Sequence, residues 1–100
     1  MNFVVLFEDN PDAAPDIRKK HMADHLTFLE SNSTCIQSAG PLSSQDGTAA
    51  GGLWLVDADD PTKVDALVKE DPFWPTGLRK TVRILSWKKV YEEGHRLTAD

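Results

Sequence analysis

A single cysteine, Cys35, stands in 100 residues. That excludes an internal disulfide and every zinc motif built on several thiolates, and it fits a reducing compartment. Cys35 has no run of cations beside it and no helix start before it, so it reads as an inert buried thiol. No apolar stretch approaches the roughly 20 residues that a membrane helix needs. The chain is also poor in cations over most of its length: residues 1–78 carry 5 basic and 13 acidic groups, and residues 79–100 carry 6 and 3, within a net charge of −5. Those six cations lack the interleaved aromatics and the recognition-helix pattern of a nucleic-acid surface, so no nucleic-acid partner is expected. The apolar run Phe3–Phe7 has no basic residues before it and turns acidic after it. It reads as a strand rather than an export signal, and the expected location is cytoplasmic, with no membrane partner.

What is present is an ordinary globular balance, 40% hydrophobic and 27% charged, enough for one domain without metal or disulfide support. Phe3–Phe7 is a strand by length and composition. Pro15 and Asp16 open a helix over about 15–31, with Asn32 as an αL stop. A second strand spans 34–39 and ends at Gly40-Pro41. The polar, Gly-rich segment 43–52 reads as a mobile loop, too long for a tight hairpin. Leu53–Val56 is a third, fully apolar strand. Asp60 caps a second helix with Pro61 at its first position, Val64, Leu67 and Val68 mark its buried face, and Pro72 stops it at Asp71. Thr81–Trp87 is the last strand of a single 1–88 domain, and 89–100 is an irregular C-terminal extension. The order β-α-β-β-α-β is that of an α+β, ferredoxin-like fold: a four-stranded antiparallel sheet with two helices on one face. Strands one and three are apolar on both faces, so the other face needs cover. A second copy packed sheet to sheet, giving a homodimer, is the economical answer.

Two side chains carry the functional reading. At 100° per residue, His25 falls near the middle of the apolar side of the first helix, opposite Lys19, Lys20, Asp24, Thr27 and Glu30. Asp71 stands at a helix C-terminus, where the macrodipole disfavours a carboxylate and a compensating cation is expected. Paired, they form a general acid/base in which Asp71 orients the imidazole. Unpaired, His25 is a core histidine with one hydrogen-bond partner, and Asp71 is a helix-stopping turn. His21 and His25 also have the i, i+4 spacing by which a helix presents two imidazoles to a metal. A third ligand would have to come from Asp24, Asp71 or His95, so no metal is assigned. Ser38, Gly40 and Pro41 end a strand where the backbone can approach a ligand, and Trp74, between Phe73 and Pro75, is placed to wall a pocket near Asp71.

Arg18, His25-Leu26, Ala39-Gly40-Pro41-Leu42, Asp71-Pro72-Phe73, Gly77-Leu78 and a final Val82-x-Ile84 strand ending in Trp87 together resemble the YciI-like family across residues 3–88. The resemblance implies a dimeric α+β barrel of ferredoxin-like subunits, akin in fold to muconolactone isomerase and small monooxygenases, with a His/Asp-centred site. His25 matches the family's histidine, Asp71 the aspartate of its Asp-Pro pair, and Arg18 the arginine seven positions before the histidine. A second arginine often found three positions before the histidine is Met22 here, and Ser31-Asn32-Ser33 stands where a glycine is usual.

The expectation from residues and resemblance is a small cofactor-independent enzyme. His25 and Asp71 would transfer a proton on a small organic molecule, in a lyase, isomerase or dehalogenase-type reaction. Arg18, Ser38, Gly40, Pro41 and Trp74 would contact the substrate. The alternative is a non-catalytic dimeric module that binds a small ligand or regulates a partner.

Overall fold

The computed structural model describes residues 1–98. The chain folds as β1 (Asn2–Asp9), α1 (Ile17–Ser31), β2 (Ile36–Ser43), β3 (Ala49–Asp57), α2 (Pro61–Glu70), a 3-10 turn (Trp74–Thr76), β4 (Arg79–Ser86) and a small hairpin of β5 (Tyr91–Glu92) and β6 (His95–Arg96). The main sheet has the order β2-β3-β1-β4 with every pair antiparallel, which is the ferredoxin-like arrangement. Phe3, Val5 and Phe7 of β1 alternate into the core with Trp54 and Val56 of β3, and there meet Val64, Leu67 and Val68 of α2. Asp60 accepts a hydrogen bond from the Lys63 N–H at 3.0 Å with Pro61 at the first helical position, so α2 starts as its residues dictate.

Four expectations about the elements are corrected. β2 does not end at Gly40-Pro41 but runs to Ser43, with Pro41 facing Gly52. It is an edge strand, where a proline's missing N–H removes no ladder bond. The segment 43–52 is not a long loop: Ser44–Thr48 turns, closed by Ser44 N–H to Thr48 O at 2.8 Å, and β3 already begins at Ala49. Asn32 is not in the αL region (φ −115°, ψ 27°). Its side-chain amide ends α1 by donating to Phe28 O at 2.9 Å. The C-terminal extension is not irregular throughout, since 91–96 forms the β5–β6 hairpin; residues 99 and 100 lie outside the described residues.

The register places Val4 beside Leu55 and Leu85, and Leu6 beside Leu53. These side chains lie on the sheet face turned away from the helices, because their neighbours Phe3, Val5, Phe7, Trp54 and Val56 are the buried ones. Among the described residues, no helix is long and apolar enough to cross a membrane.

Candidate active site

The site lies between α1 and the sheet. His25 projects from the buried side of α1 and is 9% exposed. Asp71 follows α2 in an extended conformation (φ −64°, ψ 133°) imposed by Pro72. Its carboxylate folds back in an Asx turn, Oδ1 accepting from the Phe73 N–H at 3.1 Å. That turn carries a 1% exposed carboxylate under α1, where Oδ1 also meets His25 Nδ1 at 2.9 Å. A carboxylate oxygen accepts only, so Nδ1 carries a proton, and in the neutral imidazole the lone pair is on Nε2. The ring of Phe73 stands 4.6 Å from that of His25 and fixes its plane from one side.

The second carboxylate oxygen is taken by a residue that the sequence did not single out. Arg79, first in β4, donates from Nη2 to Asp71 Oδ2 at 2.7 Å. Its guanidinium stacks on the Phe7 ring at 3.8 Å, and its side chain is 8% exposed. Nothing local marks Arg79 among the six cations of the tail. The pairing of Asp9 with Arg79 across an irregularity in the β1–β4 ladder brings it to the site. Burial acts most strongly on Asp71 and disfavours its charge. The hydrogen bond from His25, the charge of Arg79 and the Phe73 N–H outweigh it and hold the carboxyl below the usual aspartate range. Burial likewise pulls Arg79 down against the support of Asp71, and guanidinium stays charged.

Arg18 faces the site about two helical turns before His25. It does not stand free: Nη1 and Nη2 grip Asp9 at 2.8 and 3.0 Å, and Nη2 also donates to Gly51 O at 3.2 Å. Asp9 is therefore a second residue of the site that sequence reasoning missed.

These groups border a cavity of about 150 Å³, on the order of the apolar cavities that hold one benzene ring. Phe7, Met22, Leu26, Trp54, Phe73 and Leu78 form apolar walls, His25, Arg18, Asp9 and Arg79 supply polar groups, and Gly40 and Pro41 form part of the rim. Asp71 lies behind His25. Two residues expected at the pocket are elsewhere. Ser38 pairs with Leu55, on the face turned away from the helices. Trp74 is 43% exposed and outside the cavity wall, where its neighbour Phe73 takes the aromatic position. His21 lies beside Phe73, ring centroids 6.5 Å apart. Among the described residues, no group of three or more His, Cys, Asp and Glu side chains is placed to hold a metal.

The family model of the YCII-related domain matches residues 1–88. The chain belongs to the YCII-related family. Among solved structures of similar fold is 5-chloro-2-hydroxyhydroquinone dehydrochlorinase (TftG) from Burkholderia phenoliruptrix AC1100, in complex with 2,5-dihydroxybenzoquinone. It has 27% identity and a TM-score of 0.71, over 88% of this chain and 94% of that one. Two more distant structures are At3g17210 from Arabidopsis thaliana, at 9% identity and TM-score 0.47 over 92% and 97% of the two chains, and Rv0793 from Mycobacterium tuberculosis, at 15% and 0.47 over 88% and 94%. No protein of curated function matches the sequence.

Proposed function

We propose that this YCII-related protein is an acid-base enzyme that moves a proton on a small oxygenated ring, with elimination of a leaving group as its reaction type. The carrying observation is the His25 Nδ1–Asp71 Oδ1 contact of 2.9 Å at the wall of a ring-sized cavity. The tautomer fixed by Asp71 leaves the Nε2 lone pair as proton acceptor, and the carboxylate stabilises the imidazolium that forms. In the forward step, Nε2 takes a proton from a ring hydroxyl or an acidic ring carbon. On the keto tautomer of the ring, in which the carbon bearing the leaving group has gained the proton of one hydroxyl, the pair freed from a second hydroxyl forms C=O, the ring double bond shifts, and the leaving group departs from the sp3 carbon with its bonding electrons. For a halide, the sum is loss of HX, the proton on His25 and the halide in solution, and His25 then returns its proton to water. The apolar walls strengthen each of these electrostatic terms by excluding water. The same reading assigns Gly40 and Pro41 to the substrate-facing rim and needs no bound cofactor.

The similarity to a dehydrochlorinase crystallised with a dihydroxybenzoquinone supports the ring and the elimination. We further propose that the active form is a homodimer closed over the apolar sheet face around Leu53 and Leu55. The test of function is chloride release, followed with an ion-selective electrode, from 5-chloro-2-hydroxyhydroquinone and from chlorinated rings lacking the hydroxyls. Release from the hydroxylated ring alone is expected. A ring that binds and is recovered unchanged would instead make the protein a binding module.

A further inference from the structure

We propose that Arg79 is a positioning residue of this site, dividing the charge of Asp71 with His25 and so setting how firmly the imidazole holds a proton. The inference rests on the acid-base reading above and gives that site its regulator. Asp71 has two oxygens and each has its own cation-side partner: Oδ1 faces His25 Nδ1 at 2.9 Å and Oδ2 faces Arg79 Nη2 at 2.7 Å. Once His25 accepts a proton, one buried carboxylate serves two positive charges.

Arg79 is poorly built for holding strands together. Its Nη1 is buried with no hydrogen-bond partner, a costly arrangement that an apolar side chain of similar size would avoid. What the arginine supplies instead is a fixed charge, clamped over Phe7 and directed at Asp71. The other charged and titratable groups around the site are Arg18 and His21 of α1 and Asp9 of β1. Arg18 and Asp9 pair with each other through two hydrogen bonds, and His21 stands beside Phe73. The unbalanced set is therefore His25, Asp71 and Arg79. Arg79 weakens the pull of the carboxylate on the imidazole proton and repels that proton directly. Both effects have the same sign, favouring its release after each transfer.

The test is an NMR titration of the His25 imidazole in the full-length protein, comparing wild type with Arg79→Met, Arg79→Gln and Arg79→Lys. Loss of the charge in the Met and Gln variants should raise the midpoint by about one pH unit. The Lys variant, which keeps the charge, should restore it towards the wild-type value. If the Met variant does not fold, the Gln variant, which retains a hydrogen-bond donor to Oδ2, is read alone. A midpoint displaced by less than about 0.3 unit, or displaced downward, in the charge-free variants overturns the role of Arg79. The titration needs no turnover, so the two readings fail separately. A raised midpoint in a protein that turns over no ring substrate supports the charge division and sinks only the enzyme reading.

Discussion

The Asp71 side chain carries more of this site than its size suggests, since one carboxylate orients an imidazole, neutralises a guanidinium and closes its own turn. Asp71→Asn removes the charge and leaves Arg79 buried without a counterion. It should cost about 3–5 kcal/mol in urea unfolding at pH 7. The carboxyl titrates below its ordinary range in the folded protein. Its ionic contribution is therefore complete above the unfolded aspartate pKa of about 3.9 and is lost as pH falls through the lower folded value. The stability gap between wild type and Asp71→Asn should accordingly shrink as pH falls from about 5 towards 3. A gap independent of pH would mean that the charge of Asp71 contributes nothing. His25 and Asp71 were legible in the sequence because helical periodicity and an Asp-Pro stop are local signals. Arg79 and Asp9 were not, because their roles depend on which strands neighbour each other.

At the scale of elements, the sequence was clearest where residues act on their own backbone and least clear where a neighbouring strand decides. The Asp60-Pro61 start and the Asp71-Pro72 stop bound α2 as expected. Gly51-Gly52 looked like loop and is strand. The reason lies across the ladder: Gly51 has φ +146°, and a Cβ there would stand 1.8 Å from the Phe7 carbonyl oxygen. The glycine permits β1 and β3 to approach where Gly51 O receives Arg18, which ties the start of β3 to a side chain of the cavity wall. Gly51→Ala should destabilise by at least about 2 kcal/mol. In a calorimetric scan that is a fall of roughly 10 °C for a domain this size. An unchanged melting temperature would show that the two strands can part without cost.

The whole molecule presents one face finished and one open. Helices cover Phe3, Val5, Trp54 and Val56, whereas Val4, Leu6, Leu53 and Leu55 are only half-buried and Leu85 is exposed. Double-sided apolarity of β1 and β3 was readable from sequence, and the structure adds which residues share the outer face. A second copy over that face should give twice the chain mass in sedimentation at micromolar concentration, and Leu55→Glu should return it to one. A wild-type monomer would remove the dimer from the account. The proposed function rests on one claim, that His25 is the base that takes the substrate proton. It is tested most directly by chloride release from 5-chloro-2-hydroxyhydroquinone by folded His25→Gln beside wild type at saturating substrate and pH 7.5. A fall in kcat of at least about 100-fold is expected from loss of a positioned general base; release at the wild-type rate would contradict it.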